Sequence, residues 1–550
     1  MTIVAYVFYF VLLIGVLVFV HEGGHFLVAK LFKVKVHVFS LGFGPRLFGF
    51  RGKETDYRVS AVPIGGYVKM LGEDPSEVVK AEDAGRAFTD KPRWQRFCII
   101  AAGPVMNMIF PLFLHFGVGL TIDRVAPPDV GFVVPGMPGA AAGLEPGDRI
   151  TAIDGEPVES FDEVVAIVSP QPGRALEIEL VRDGRPIRRT ITPSAVRRSV
   201  VVPSEKETVG QIGVYAAYVA PVIGIDDPQS PAATAGLRTF DRIEAIDGAR
   251  IERFADASRA VAKAAGRTIE LAVRHLKPDA AAPFDDADYA AQPAIVRVEV
   301  PYGANGLAGI GALEPGDFVA HVEPDGPAAR IGLRRGDRLL TLDGDLAGAV
   351  QIERGLGAAP DICHALAWSR QGELFSRPYR LTFVPAGKKK DLGVAQDAYV
   401  NGFSVHMPFV DSRIDNPARL SGAIRYAIAE TRDGVRLIAI GFKLLFRREV
   451  SLESIGGPLM IGQLAGMAGQ EGAVPFIWMM ALISLNLGII NLLPIPILDG
   501  GQILIIAVEA VIRRPLSRKL KERIMLVGLA LLIALMLFAT RNDIMRFITG

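Results

Sequence analysis

The stretch LVFVHEGGHFLVAK, from Leu17 to Lys30, places two histidines and a glutamate inside a long apolar run. The whole run, from Ile3 to about Phe32, is long enough to cross the hydrocarbon core of a bilayer, which takes about 20 helical residues. Ionisable side chains are costly in that environment, so a chain that keeps them there usually uses them. The stretch therefore predicts a membrane-spanning helix that carries a functional site.

The composition indicates a membrane protein with substantial soluble parts. Of the 550 residues, 50% are hydrophobic, which exceeds what a single soluble core needs. The formal net charge of +1 gives no general attraction to nucleic acid, and no nucleic-acid partner is expected. Cys98 lies in an apolar run and Cys363 in a polar region, so the two cysteines do not predict a disulfide framework.

Three further segments are apolar enough to span a bilayer. They run from Phe97 to Ile122, from Val474 to Leu498 and from Ile524 to Thr540. The first run has no basic residue ahead of it and no small-residue cleavage site behind it, so it is expected to be retained rather than removed as a signal peptide. The sequence thus predicts four transmembrane helices, with the lipid bilayer as a partner.

Basic residues predict the orientation of these helices, because short loops rich in lysine and arginine stay in the cytoplasm. Such residues occur in the loop between the first two spans and in the loop between the last two. Both termini and the long region between the second and third spans are then expected on the outer side. The basic residues are Lys33, Lys35, Arg46, Arg51, Lys53, Arg93, Arg96, Arg513, Arg514, Arg518, Lys519, Lys521 and Arg523.

The long outer region contains an internal repeat. It reads PGAAAGLEPGDRITAIDG from Pro138, PAATAGLRTFDRIEAIDG from Pro231 and PAARIGLRRGDRLLTLDG from Pro327, with Gly-Leu, Asp-Arg and Asp-Gly at the same offsets. Each copy predicts a short helix from the proline, ended by a glycine, and then an alternating strand and a turn. The glycines are Gly143, Gly236 and Gly332, and the strands are 149–153, 242–246 and 338–342.

The repeat closely resembles bacterial PDZ domains, which add an extended peptide to a sheet edge and often hold its terminal carboxylate. The resemblance implies three PDZ-like α+β modules with peptide C-termini as possible ligands. The second copy departs from the pattern, because Phe240 stands where the others have Gly147 and Gly336. A role of the modules as steric filters or spacers remains open.

Two other segments predict structure at the membrane. Residues 36–71 contain the strand-like runs VHVFSLGFGPRLFGF and YRVSAVPIGGYVKML with glycine-rich turns, on the predicted cytoplasmic side. Residues from Pro417 to Phe446 mix apolar and basic side chains, as an amphipathic helix on the outer membrane surface does. A packed soluble helix is the alternative for this second segment.

The histidines of the first span have the spacing of a metal site. His21 and His25 are four residues apart, so on a helix they project from one face about 6 Å apart, and Glu22 follows the first of them. Such a pair can share a zinc ion while the glutamate acts on its water. Hydrolytic zinc usually takes a third protein ligand. Asp499 is the first charge after a long uncharged run and lies at the matching depth, although an ordinary interfacial charge is the alternative.

Prolines close to Asp499 favour the functional reading. Pro494 and Pro496 predict that the helix breaks just before the aspartate, and a broken helix within a membrane needs protein or a water-filled cavity around it.

Four motifs together resemble the site-2 protease family of intramembrane metalloproteases, in its bacterial regulator-of-sigma-E protease branch. They are HEGGH from His21, GPVMN from Gly103, IGGPLMIGQLAG from Ile455 and SLNLGIINLLPIPILDGG from Ser484. The resemblance implies that His21, His25 and Asp499 bind Zn²⁺, that Glu22 is catalytic and that Asn486 and Asn491 contact substrate. It also implies that the strands of residues 36–71 offer an edge to the substrate, a self-contained hairpin being the alternative. The third module departs from the family pattern, in which the relatives carry one or two PDZ domains.

The expected fold is a polytopic α-helical membrane protein with four transmembrane helices, a cytoplasmic membrane-associated β-hairpin and three tandem extracytoplasmic PDZ-like modules, in the bacterial inner membrane. The predicted order is span one over 1–32, a cytoplasmic loop with the hairpin over 33–95, span two over 96–122, modules over 123–200, 205–300 and 301–390, a surface helix over 410–450, span three over 473–499, a basic loop over 500–523 and span four over 524–541.

The function implied by the resemblance is that of an intramembrane zinc endopeptidase. Its substrates would be single-span membrane proteins already trimmed on the outer side, of the anti-sigma factor or remnant signal peptide type. A non-catalytic PDZ-bearing scaffold with a structural metal is the alternative, and Glu22 separates the two because a structural site does not need it. A serine protease has little support, since no GxSxG motif accompanies the repeats.

Overall fold

The α-helices lie at the two ends of the chain and between the strands of its middle part. A computed structural model describes residues 2–73, 79–134, 136–199, 206–278, 280, 286–324, 326–342, 345–346, 363–380, 399–400, 403–405, 408–410, 412–447, 456–514 and 516–549. Outside them lie Ile455 of the IGGPLM motif, residues 381–390 of the third predicted module and 448–450 of the predicted surface helix. The helices are α1 (Thr2–Leu31), α2 (Arg93–Leu120), α3 (Pro138–Ala141), α4 (Phe161–Val168), α5 (Pro231–Thr234), α6 (Phe254–Lys263), α7 (Pro327–Arg330), α8 (Arg419–Phe446), α9 (Pro458–Glu471), α10 (Ala473–Asn491), α11 (Asp499–Val511) and α12 (Arg518–Thr549).

The two longest strands form the first hairpin, and the other strands are short. The chain divides into two units, Met1–Asp123 with Ala418–Gly550, the membrane unit, and Arg124–Pro417, the repeat unit. The strands are β1 (Val36–Arg51), β2 (Asp56–Met70), β3 (Arg124–Val125), β4 (Phe132–Val133), β5 (Arg149–Ile153), β6 (Glu156–Pro157), β7 (Leu176–Arg182), β8 (Arg185–Ile191), β9 (Ser194–Ser199), β10 (Lys206–Gln211), β11 (Val214–Tyr215), β12 (Tyr218–Val219), β13 (Arg242–Ile246), β14 (Ala249–Arg250), β15 (Thr268–Arg274), β16 (Ala294–Glu299), β17 (Val319–Val322), β18 (Arg338–Leu342), β19 (Asp345–Leu346), β20 (Cys363–Arg370), β21 (Glu373–Arg380), β22 (Tyr399–Val400), β23 (Phe403–Val405), β24 (Phe409–Val410) and β25 (Ile414–Asp415).

Four helices of the membrane unit are long and apolar enough to cross a membrane. These segments are Val4–Leu31, Arg93–Leu120, Ala473–Asn491 and Lys519–Met545. They correspond to the four spans that the sequence predicts, and the differences lie at their ends. The fourth helix, for example, continues well past residue 541, where the sequence predicts its end.

The structure differs from the sequence prediction after the third span. Helix α10 ends at Asn491, and the chain turns through Pro494 and Pro496 before α11 begins at Asp499. Residues 500–523, predicted as a basic loop, therefore contain most of a helix. Its sequence DGGQILIIAVEAV is apolar and begins with a charge that suits a helix N-terminus, whereas the basic residues come only after it.

Helix α9, which the sequence did not predict as a separate element, packs on α1 through glycines. A Cβ atom at Gly466 or Gly469 would lie within 2.5 Å of the ring of Tyr6 or Tyr9. The backbone of α9 can approach these rings only because the glycines have no side chain. Asp543 of α12 fixes the start of α9, since its carboxylate accepts the N–H of Gly457 at 2.8 Å and two more from the first turn.

Strands β1 and β2 form an antiparallel hairpin that wraps around α1. Residues 36–41 pair with residues 66–70, and residues 46–51 pair with 56–60. Residues 38–41 also pair with 56–59, so the hairpin folds over into a small curved sheet. Phe39 packs on Phe19 and Phe26 of α1, with ring centroids 5.8 and 5.4 Å apart. One edge of this sheet is formed by residues 66–70.

Helix α8 packs along α2. A Cβ at Gly119 would lie 2.8 Å from the Cα of Ala423, and the Nδ1 atom of His115 lies 3.0 Å from the Thr431 hydroxyl. The adjoining face exposes apolar side chains, namely Leu420, Ile424 and Ile428. Helix α8 thus has one face in protein contact and an apolar face free of it, and its position at the membrane surface stays a prediction.

The three sequence repeats share a local structure within the repeat unit. Each forms a four-stranded sheet, in the orders β6-β5-β7-β8, β14-β13-β15-β16 and β19-β18-β20-β21. Helices α3, α5 and α7 begin at the repeat prolines, and Gly143, Gly236 and Gly332 follow them with φ of 75°, 98° and 91°. Each sheet buries its own apolar core. The position of Gly147 and Gly336, at φ of 102° and 88°, is taken in the second copy by Phe240 at φ of 71°.

A returning segment ties the repeat unit together. Strand β23 pairs with β17, β24 pairs with β12, and β25 pairs with β3 at the start of the unit. The last pairing brings Arg124 next to Arg413, whose carbonyl oxygen accepts from the Arg124 guanidinium at 2.7 Å. The two ends of the repeat unit are therefore held side by side.

Candidate metal centre

Three side chains from the two ends of the membrane unit converge. The Oδ2 atom of Asp499 lies 3.1 Å from Nε2 of His21 and 3.6 Å from Nε2 of His25, and the two Nε2 atoms are 3.3 Å apart. All three side chains are largely shielded from solvent, with 11 to 16% of their surface exposed. The ligand atoms of all three side chains lie within 4.8 Å of one another, so among the described residues they form a group that could hold a metal ion.

Helix α2 orients both imidazoles from behind. The Nδ1–H of His25 donates to the carbonyl oxygen of Ile99 at 2.8 Å, so in the neutral imidazole Nε2 is the nitrogen that can bind a metal. The amide of Asn107 lies 3.2 Å from Nδ1 of His21, and its Oδ1 atom has no hydrogen-bond partner among the described residues. A half turn of the amide lets Oδ1 accept the Nδ1–H of His21. In the neutral imidazoles both Nε2 atoms, on the side of Asp499, are then the nitrogens that can bind a metal.

Glycines allow α1 and α2 to come this close. A Cβ at Gly103 would lie 2.3 Å from Nε2 of His25 and 2.9 Å from Cε1 of His21. A Cβ at Gly24 would lie 2.4 Å from the carbonyl oxygen of Ala102. Close backbone approach explains Gly24 but not Gly23, whose Cβ would meet no atom within 4 Å.

A tight turn holds Asp499 in place. The N–H groups of Ile495 and Leu498 donate to the carbonyl oxygens of Leu493 and Ile495, at 2.7 and 2.9 Å. Cβ atoms at Gly500 or Gly501 would lie 2.2 Å from carbonyl oxygens of the same turn. The prolines end α10, the glycines let the chain fold back on itself, and Asp499 begins the next helix.

Glu22 lies on the next face of α1, toward the curved sheet. A Cβ at Gly66 would lie 3.1 Å from Cγ of Glu22, and the backbone of Val68 lies close to the glutamate carboxylate. Gly66 and Val68 belong to the sheet edge formed by residues 66–70. The carboxylate is therefore next to both the metal ligands and a strand edge.

Asn486 and Asn491 both lie on α10, near its end. Neither side chain has a hydrogen-bond partner among the described residues, so the structure does not join them to the three ligand side chains. Ser484 of the same helix donates to the carbonyl oxygen of Asn107 at 2.8 Å. Asn107 and Ile99 are contacts of the histidines that the sequence prediction missed. The signal for Asn107 was a polar residue inside an apolar helix.

The donor set fits a catalytic zinc ion. Two imidazole nitrogens and one carboxylate oxygen are ligands that zinc accepts, and three protein ligands leave a position for water. The shared cradle of Ile99 and Asn107 fixes the tautomers that such binding requires. A structural zinc site would instead have four protein ligands.

Comparisons with known proteins give one family and several full-length relatives. A model of peptidase family M50 matches residues 9–535. The regulator of sigma-E protease RseP of Escherichia coli is 29% identical over 545 residues, and that of Salmonella typhimurium is 29% identical over 539 residues. A Vibrio cholerae protein named "Putative zinc metalloprotease" is 28% identical over 544 residues. In each case 98% of both chains is covered.

Solved structures match only short stretches. The PDZ domain of an SdrC-like protein from Listeria monocytogenes is 24% identical, with 16% of this chain and 85% of that chain covered and a TM-score of 0.14. A protein from Geobacillus thermodenitrificans is 32% identical, with 14% and 83% covered and a TM-score of 0.12. Similarity at this level carries no conclusion about the fold.

Proposed function

The chain belongs to peptidase family M50, and we propose that His21, His25 and Asp499 are its metal ligands and that Glu22 is its catalytic base. The protein is a zinc metalloprotease that acts within the membrane, in regulated intramembrane proteolysis. The observation that carries the residue assignment is the convergence of three ligand atoms within 4.8 Å, on helices apolar enough to cross a membrane.

The residues of the chain have separate tasks in peptide hydrolysis. When bound, zinc supplies Lewis acidity toward the peptide carbonyl and toward water. Glu22 takes a proton from the attacking water and returns it to the leaving amine. His21 and His25 are held as neutral Nε2 donors by Asn107 and Ile99. Asn486 and Asn491 remain candidates for substrate contact.

The sheet edge beside Glu22 suits an extended substrate. A transmembrane helix hides its peptide bonds in its own hydrogen bonds, so cleavage requires local unwinding. Unwound backbone then needs new partners. Residues 66–70 form an edge of the curved sheet, and two of them lie against Glu22. We therefore place the substrate strand along this edge, with its scissile bond toward the metal ligands.

The proposed substrates are single-span membrane proteins that have been shortened on the outer side. Anti-sigma factors and remnant signal peptides are the substrate types implied by the family branch. The repeat modules are proposed to be PDZ-like domains that exclude intact ectodomains or bind newly made C-termini. The paired strands β3 and β25 support a single tethered body of modules rather than a flexible string.

The protein is placed in the bacterial inner membrane, with the repeat unit and both termini on the outer side. The basic residues around the hairpin and after α11 support this orientation. The metal ligands would then lie toward the cytoplasmic side. The alternative of a non-catalytic scaffold with a structural metal is not favoured, because the chain belongs to a peptidase family along nearly its whole length.

Glu22→Gln is the primary test of the assignment. The variant should lose cleavage of a model single-span substrate by about a hundredfold to ten-thousandfold, because the amide cannot accept the proton, and should keep bound zinc. Glu82→Gln, at an exposed glutamate with 71% of its side chain accessible, is the matched control. Cleavage at the original rate by the Glu22 variant would refute its role as base.

A second experiment tests the filter role of the modules. Strands β3 and β25 lie side by side, so residues 127–412 can be replaced by a short glycine-rich turn without separating α2 from α8. The shortened enzyme should cut full-length and trimmed substrates at similar rates, whereas the intact protein prefers the trimmed form. Unaltered preference after the deletion would count against the filter.

A further inference from the structure

A cavity of about 660 Å³ lies between α1 and the curved sheet. Its lining is almost entirely apolar and includes Phe19, Gly23 and Leu27 of α1, Phe48 and Phe50 of the sheet and Met106 of α2. The cavity is large for an apolar space, since about 150 Å³ is enough to bind benzene. The apolar lining gains dispersion contacts if an apolar group fills this open space.

The cavity is on the far side of α1 from the metal ligands. Residues two positions apart on a helix are about 160° apart around its axis, so Gly23 faces away from both His21 and His25. Gly23 opens directly into the space, because a Cβ there would meet no atom within 4 Å. A helix with its side chains is about 10 Å thick. Side chains next to a scissile bond at the metal therefore do not reach this cavity.

The mouth of the cavity continues into the lipid-facing surface of α1. Phe19 and Leu27 have 53% and 58% of their surface exposed. Apolar side chains nearer the N-terminus of the same helix are exposed as well. On the sheet side the rim carries Phe48 and Phe50, which are 64% and 66% exposed. If helix α1 crosses a bilayer, an opening beside its apolar surface is in contact with lipid acyl chains.

The sheet side of the cavity also carries excess positive charge. Arg46 and Arg58 share a single carboxylate, that of Asp56, at 3.2 and 3.7 Å. Arg58 lines the cavity, donates to the Tyr67 hydroxyl, and has an Nε atom without a hydrogen-bond partner among the described residues. One guanidinium charge is thus left over, which complements the phosphate of an anionic lipid.

We propose that this cavity binds one acyl chain of an anionic phospholipid, with the headgroup phosphate near Arg58. The chain fills the space that Gly23 leaves open. It also supports Phe39 and Leu41, which line the cavity and pair with Val68 and Gly66 of the edge beside Glu22. The bound lipid is therefore a structural ligand that backs the proposed substrate strand. The inference requires the helices to lie in a bilayer and does not depend on peptidase activity.

Photocrosslinking of the full-length protein in nanodiscs tests the site. Phosphatidylglycerol with a diazirine in its acyl chain is diluted into phosphatidylcholine, and labelled peptides are identified by mass spectrometry. Label should concentrate on residues 48–59 and 19–27. Gly23→Leu, which fills the cavity, should reduce this label at least fivefold. Gly15→Leu is the matched control, because Gly15 of the same helix also has open space around its Cβ but does not line the cavity.

The headgroup is tested with Arg58→Gln, which should reduce the preference of the label for phosphatidylglycerol over a phosphatidylcholine probe at least threefold. Equal labelling of the wild type and the Gly23 variant would overturn the proposal, as would label spread evenly over all lipid-facing residues. Protection of residues 48–59 by an excess of substrate segment, with no loss of label in the Gly23 variant, would assign the cavity to the substrate instead. None of these readouts requires cleavage, so a failed peptidase assignment is seen separately.

Discussion

The Nε2 atom of His21 lies 3.1 Å from the Oδ2 atom of Asp499, although the two residues come from opposite ends of the chain. The contact joins the second half of helix α1 to the start of helix α11. Two imidazoles and a carboxylate arranged in this way form the ligand group that we propose for zinc.

Asp499→Ala should lower the zinc content of the purified protein as well as its activity. Removal of one of three protein ligands should weaken zinc affinity by at least about a hundredfold, and metal measurement after dialysis against a mild chelator checks this. Asp543→Asn is the control, because Asp543 is a buried aspartate that caps α9 away from the site. Full zinc occupancy in the Asp499 variant would remove this residue from the ligand set.

Asn107→Leu should weaken zinc binding by about ten- to a hundredfold, because His21 loses the partner that fixes its tautomer. Asn107→Asp keeps an oxygen opposite Nδ1 and should retain most of the affinity. Ser484→Ala, which removes only a hydrogen bond to the backbone of Asn107, is the matched control. Zinc titration against a fluorescent chelator measures all three, and identical affinities would show that the amide does not orient His21.

Gly103→Ala should reduce zinc affinity about tenfold or more. The added methyl carbon would lie 2.3 Å from Nε2 of His25, so either the imidazole or helix α2 has to move. Gly117→Ala on the same helix adds a methyl group in open space and should leave zinc binding unchanged. Equal affinity in both variants would mean that the site adapts to the lost space.

His275→Arg should stabilise the second module increasingly as the pH rises. Its partner Asp241 is 1% exposed, and burial raises the pKa of this carboxyl. The pKa of Asp241 is higher in the folded protein than in the unfolded chain. The second module therefore loses stability as the pH rises from about 4 through the pKa of folded Asp241. The equivalent pairs in the other modules, Asp148 with Arg182 and Asp337 with Arg370, use an arginine that stays charged.

The expected gain for His275→Arg is about 1 kcal/mol at pH 8 and close to zero at pH 4. Limited proteolysis of the second module in increasing urea, at the two pH values, measures it. Arg370→His is the reciprocal control and should make the third module less stable at high pH. A gain that is equal at both pH values would show that Asp241 does not titrate between them.

Phe240→Gly should destabilise the second module, although it relieves the left-handed backbone at φ of 71°. Relief of that strain is worth about 1–2 kcal/mol. The lost side chain is 2% exposed and packs with Tyr289 and Phe318, and deletion of such a phenylalanine costs about 3–5 kcal/mol. The net loss should be about 2 kcal/mol in a urea titration. A more stable variant would show that the strain outweighs the packing.

The sequence by itself determined the elements whose cause is local. Hydrophobic length predicted the four helices that are apolar enough to cross a membrane, and the repeated proline and glycine positions predicted the short helices and strands of the repeats. A spacing of four residues put His21 and His25 on one helix face. Pro494 and Pro496 predicted the break before Asp499, because a missing N–H ends a helix whatever surrounds it.

Only the tertiary structure decided the contacts that depend on how helices cross. That His25 donates to the carbonyl oxygen of Ile99, that Asn107 faces His21, and that Gly103 makes room for both follow from the crossing of α1 and α2. Gly23 borders an open cavity, whereas Gly24 lies against the backbone of α2. The sequence does not distinguish these two neighbouring glycines. Every residue has the same backbone carbonyl, and a cavity is not encoded by any single residue. Packing between distant segments therefore decides this part of the site.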